Sequence, residues 1–225
     1  MIKEMFPKNS ITSHSLTDQV TALIKETILK GEFKPGARLN EIQLSEFLAI
    51  SRSPVREAIQ RLSMEGFVTL VPRKGAFITK LNAKEIEDLF EVREALEMKS
   101  AALATQRATG RQLNSISALL DRTESVLKEN AYSEYPWNFD LHLQLAKLSQ
   151  NSFLEKKIHE VNARLLLIRH RSGTESGRAW KAFNEHKEIF ECIRRGDQES
   201  ALSAFRSHLV KAKENILNLL AGGNA

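Results

Sequence analysis

The chain has 225 residues, 42% hydrophobic and 27% charged, with a net charge of +5; this allows two small domains or one large one and excludes a disordered or fibrous chain. The opening MIKEMFPKNS lacks the apolar run of a secretory signal, and no apolar stretch approaches the roughly 20 residues of a membrane span, so a cytoplasmic protein is expected. Residues 1–80 hold 12 Lys and Arg against 8 Asp and Glu, while the remainder holds 21 against 20, which points to a polyanionic partner for the first third.

Residues 1–14 are read as a tail. From Leu16 to about Leu29, Leu16, Val20, Leu23, Ile24 and Ile28 recur at three-to-four spacing behind the polar TSHS, which predicts a capped helix. Gly31, Pro35 and Gly36 break it. A second helix is expected at about 41–48, with Ile42, Leu44, Phe47 and Leu48 as its apolar positions. After AIS, a third runs from about Ser53 to Glu65 and is stopped by Gly66. The β-branched and aromatic runs FVTLV and AFITK flank PRKG, the pattern of a hairpin with a basic tip. Three helices with a three-residue turn between the last two, closed by a hairpin, make residues 15–81 a winged helix-turn-helix.

In SRSPVREAIQRL, Val55, Ala58, Ile59 and Leu62 form one apolar stripe, which turns Ser53, Arg56 and Gln60 outward and leaves Arg52 just ahead of the helix. A helix amino terminus suits phosphate, and the planar fork of arginine can read guanine in the major groove. Arg73 and Lys74 at the wing tip can reach the neighbouring groove, and Gly75 permits close approach. A pair of solvated surface arginines is the plainer reading of Arg52 and Arg56; the turn, the apolar anchor and the basic wing favour DNA. The stretch ILKGEFKPGARLNEIQLSEFLAISRSPVREAIQRLSMEGFVTLVPRKGAFI resembles the N-terminal domain of GntR-family bacterial transcription regulators. The resemblance implies that Arg52, Arg56 and Gly75 contact operator DNA, with Ser51 and Ser53 as phosphate or base partners. Ile42 stands where some members place a further DNA-contacting arginine.

From Asn82 onward the strand signals cease. Six helices are expected at about 83–108, 111–129, 135–150, 153–171, 177–195 and 198–220. The fold class is therefore mainly α, a winged helix-turn-helix followed by an all-α bundle over residues 82–221. Cys192 lies among Ile189, Phe190 and Ile193, a packed thiol rather than a nucleophile.

Three histidines fall on apolar faces of this bundle. His186 shares a stripe with Ile189, Phe190 and Ile193; His208 lies among Ala201, Ala204, Phe205, Ala212 and Ile216; His142 has Leu145 and Ala146 one turn on and Asn138 one turn back. Each alone is most simply a hydrogen-bonded core histidine, but three imidazoles converging in one core need something to satisfy their nitrogens, which a divalent metal does. Arg93 shares a face with Leu89 and Leu96, where it either pairs internally with Glu97 or another carboxylate, or holds an acidic effector. Arg164 is a lesser candidate for that second role.

The segments EVREALE, HLQLAKLSQNSFL and EHKEIFECIRRGDQESALSAFRSHL resemble the FCD effector domain of the FadR-like branch of GntR regulators. Six helices favour its VanR-like subgroup. In metal-binding members an Asp and three His hold the ion, so the resemblance assigns His142, His186 and His208 to a Zn-, Ni- or Mn-like divalent metal, with Asn138 in the Asp position as a neutral, weaker ligand. Asp140 is only two residues from His142 and is not substituted for it. Together these readings describe a homodimeric, ligand-responsive regulator, a repressor by the usual outcome, binding a palindromic operator under control of a small organic acid. The alternatives are a metal-dependent hydrolase of all-helical fold, for which no HExxH motif or acidic ligand pair is found, and a sequence-blind architectural DNA binder.

Overall fold

The computed structural model describes residues 15–129, 140–172 and 177–222, with residues 168–172 by backbone only. The chain divides into two compact units between Thr79 and Lys80. None of its described helices is long and apolar enough to cross a membrane.

The first unit opens with α1, Leu16–Leu29. Ser15 caps it in a capping box with Asp18, and Val20, Ile24 and Ile28 are buried as their spacing requires. Helix α2, Glu41–Phe47, is capped by Asn40, and α3 spans Arg52–Met64. Val55, Ala58, Ile59 and Leu62 on α3 are fully buried against the rest of the unit. Arg52 is therefore the first residue of α3, one position earlier than expected, with Ser51 at its N-cap. On α2, Ile42 is 43% and Phe47 87% exposed. Only Leu44 and Leu48 of its apolar positions are half-buried, because a helix of barely two turns presents just one narrow edge to α3.

The expected hairpin is the pair β2, Val68–Val71, and β3, Gly75–Ile78, in register Val68 with Ile78 and Val71 with Gly75. A third strand, β1, Arg38–Leu39, pairs antiparallel with β3, giving the order β1-β3-β2. Two residues are too few to show alternation, so this strand escapes sequence reading. It anchors the lead-in loop through Leu39, which is buried beside Ala76.

The second unit contains α4 (Ala83–Arg107), α5 (Gly110–Glu129), α6 (Leu141–Leu148), α7 (Ser152–Ser172), α8 (Arg178–Arg194) and α9 (Gln198–Gly222) among the described residues. Helix α4 packs against α6, α7, α8 and α9, which makes it the spine of the bundle. One apolar cluster joins Ala101 and Ala104 to Leu141, Leu145, Phe183, Ile189, Phe190 and Phe205. A second joins Ile86, Leu89 and Phe90 to Val161, Leu165 and Ile216. The expected helix 135–150 begins only at Leu141, because Asp140 has extended backbone and caps it by accepting from the Leu143 amide. Asn138 lies outside the described residues.

Candidate nucleic-acid interface and metal centre

In the first unit the apolar stripe of α3 turns its opposite face to solvent. Ser51, Arg52, Ser53 and Arg56 are all exposed. Ser51 makes no side-chain cap hydrogen bond, and no acidic residue occupies the first turn. The positive end of the helix is thus left uncompensated by its own side chains. Arg56 Nε lies 3.2 Å from Glu41 Oε2 on α2, which holds the guanidinium over the turn while its side chain stays 62% exposed. Ser53 Oγ donates to Glu57 Oε1 at 3.3 Å, and Thr17 Oγ1 on α1 donates to the other Glu57 oxygen at 3.0 Å.

At the wing tip Arg73, Lys74 and Gly75 are exposed. Arg73 has φ 63°, a left-handed conformation that costs a residue with a side chain about 1–2 kcal/mol. Gly75 has φ 106°, and a Cβ there would meet the Arg38 guanidinium at 3.5 Å. Arg38, which the sequence reading missed, thus adds a third cation beside the wing. Its signal is visible only once β1 is known to pair with β3.

In the second unit His142, His186 and His208 are 1%, 5% and 3% exposed. They come from three helices, α6, α8 and α9, and their ring centroids lie 4.5–5.1 Å apart. The Nε2 atoms of His142 and His186 each stand 3.3 Å from Nε2 of His208. Phe205, one turn before His208, packs against His142 at 5.2 Å and closes one side.

Carboxylates stand behind two of the rings. Nδ1 of His142 is 2.8 Å from Glu97 Oε2, and Nδ1 of His208 is 2.7 Å from Glu185 Oε2. Arg93 Nε donates to the other Glu97 oxygen at 2.9 Å, with both side chains 1% exposed. Its NH2 group is 3.2 and 3.1 Å from the two ring nitrogens of His142, and it donates to whichever of them carries the lone pair. Arg178 holds Glu185 at 3.3 Å. Arg93 is thus built into an internal ion pair beside the histidines. Arg164 is not brought there: it is exposed on α7, whose buried side includes Leu154, Ile158, Val161 and Leu165.

Sequence reasoning missed Glu185 and Arg178. Glu185 directly precedes His186, yet its imidazole partner is His208 on the next helix, a pairing no helical periodicity reveals.

Burial holds the His208 imidazole well below its usual value of 6.5, with His142, Arg93 and Arg178 adding to the effect and Glu97 opposing it. Glu185 also favours the imidazolium, but desolvation outweighs it. The neutral ring is the favoured form at pH 7. In the window below 6.5 the unfolded chain binds a proton that folded His208 refuses, so folding stability falls as the pH drops through that window. Urea midpoints of metal-free protein are expected to fall between pH 7.5 and 5.5, and to fall less in His208→Gln. An equal fall in both would remove His208 as the cause.

An exposed cationic helix start on a winged helix-turn-helix, joined to an all-helical unit, is the build of a DNA-binding transcription regulator. The chain belongs to the family of bacterial regulatory proteins named gntR, matched over residues 16–78, with an FCD domain matched over residues 88–211, more than half its length. YdhC of Bacillus subtilis, an uncharacterized HTH-type transcriptional regulator, is 30% identical over 202 residues, 89% of this chain and 90% of that one. The Nta operon transcriptional regulator of Aminobacter aminovorans is 30% identical over 190 residues, 84% of this chain and 89% of that one. E. coli McbR/YncC has the same fold, with a TM-score of 0.72 at 22% identity over 93% of this chain and 99% of that one. The two sequence relatives are transcription regulators, and the hydrolase alternative is set aside.

Proposed function

We propose that this regulator represses transcription as a homodimer on a palindromic operator, and that a small organic acid, captured with a divalent metal in the helical unit, releases it. The observation that carries the reading is the convergence of three buried Nε2 atoms. Nitrogens each about 2.1 Å from one ion lie about 3.0 Å apart at right angles and about 3.4 Å apart in a tetrahedron. The 3.3 Å separations here fall in that range. Three neutral imidazoles suit zinc, nickel or a related ion and leave coordination positions open. When bound, the ion supplies an electrophile that a carboxylate can meet. Asn138 is the fourth candidate ligand by sequence. Arg93 places positive charge at the rim of the same centre for an acidic effector; exposed Arg164 lacks a comparable setting. An effector that binds the released form more tightly than the operator-bound form lowers DNA affinity by the same factor.

Ser51, Arg52, Ser53 and Arg56 form the proposed reading face, with Arg73, Lys74 and Gly75 on the flanking groove or backbone. Arg56→Ala is expected to weaken operator binding by about 1–3 kcal/mol, with a smaller loss on random duplex. Fluorescence anisotropy on both duplexes across a salt series measures this. Equal losses would assign Arg56 to phosphate contact alone, and equal wild-type affinity for all duplexes at each salt concentration would restore the architectural reading. A thermal-shift screen of organic acids with and without chelator tests the effector half. If no acid shifts the metal-loaded protein or changes its operator affinity, that half fails.

A further inference from the structure

Resting on the metal reading above, we infer that Glu97 and Glu185 are positioning residues that select the tautomers of His142 and His208 and so aim their ligating nitrogens at one point. An ionised carboxylate can only accept a hydrogen bond, so the ring nitrogen it touches carries the proton. Glu97 meets Nδ1 of His142 and Glu185 meets Nδ1 of His208, at 2.8 and 2.7 Å. Both rings are thereby held as the Nδ1–H form, with the Nε2 lone pair turned inward.

The consequence is that two acceptor nitrogens face each other. Nε2 of His142 and Nε2 of His208 stand 3.3 Å apart, the first within 3.1 Å of the Arg93 NH2 group and the second within 3.3 Å of Nε2 of His186. A cation at their meeting point takes both lone pairs in coordination. The opposite tautomers would turn an N–H toward that point and block the metal. Glu97 and Glu185 exclude them.

Each carboxylate is itself fixed. Glu97, 1% exposed, is gripped by Arg93, and Glu185 by Arg178, with Lys211 3.5 Å from its Oε1. These cations orient the oxygens that face the rings. Carboxylate partners behind metal-ligating histidines commonly tune affinity this way. Here they come from two different helices, α4 and α8, so metal binding reads the packing of both against α6 and α9.

The test uses the full-length protein with histidine labelled in nitrogen-15. Long-range proton–nitrogen correlation spectra of metal-free protein at pH 7.5 report which ring nitrogen is protonated. The expected result is the Nδ1–H form at His142 and His208, assigned by single substitutions. Glu185→Gln, whose amide can donate to Nδ1, is expected to shift His208 toward the Nε2–H form, and Glu97→Gln to shift His142 likewise. In competition with a chromophoric chelator, each variant should bind zinc about 10–100-fold more weakly than wild type. Glu188→Gln, an exposed carboxylate on the same helix as Glu185, should match wild type. Circular dichroism confirms folding, and the less buried Glu185 keeps the test open if Glu97→Gln unfolds. Nε2–H tautomers in the wild type, or zinc affinity unchanged in folded variants, overturns the assignment of the carboxylates. Failure of wild-type protein to bind zinc overturns the metal reading instead.

Discussion

Arg93→Met is expected to destabilise the helical unit by about 3–5 kcal/mol, the usual cost of leaving a buried charge without its partner. Arg93 and Glu97 are both 1% exposed and face each other at 2.9 Å one turn apart on α4. The methionine fills much of the arginine's volume, so the loss comes from Glu97, whose carboxylate keeps the His142 Nδ1–H but loses the guanidinium. Arg93→Met combined with Glu97→Gln removes both charges and is expected to recover most of the loss. Both tryptophans, Trp137 and Trp180, fall in residues 80–225, so their fluorescence during urea unfolding reports the helical unit apart from the DNA-binding one. If the double variant is less stable than Arg93→Met, the pair is not a charge-balanced unit.

His186→Gln is expected to abolish stabilisation by metal while leaving operator binding intact. Zinc present at about 100 times its Kd raises the stability of a protein that binds it only when folded by about 2.7 kcal/mol. Removing one of the three proposed imidazole ligands, whose nitrogens all lie within 4.8 Å of one another, leaves a two-histidine remnant. Because residue 186 lies in a different unit from the reading face, affinity for operator without effector should match wild type, and the response to effector should be lost. A variant that keeps the full zinc-dependent shift in Tm would show that the ion sits elsewhere. One that keeps effector release without zinc binding would separate the acid from the metal.

Much of the fold was legible because it rests on local periodicity. The α3 stripe of Val55, Ala58, Ile59 and Leu62 is fully buried as its spacing requires. The polar cap at Ser15 and the Gly66 stop act within a few residues of chain, which is the range over which sequence speaks directly. The inward direction of His142, His186 and His208 was legible for the same reason, since each shares a helical face with apolar neighbours that must be buried. Periodicity faltered where elements are short. It gave no sign of β1, it did not separate exposed Ile42 and Phe47 from Leu44 and Leu48, and it ran the helix before His142 through Asp140, which instead caps it.

What the amino-acid order alone determined is which faces turn inward, because burial of apolar surface imposes a period on each helix regardless of its neighbours. Tertiary structure alone decided which groups meet: Glu97 with His142 across 45 positions, Glu185 with His208 across 23, and Arg38 beside Gly75. A hydrogen bond between helices depends on their axial offset and crossing, set by the packing of all the side chains between them, and no local pattern encodes that sum.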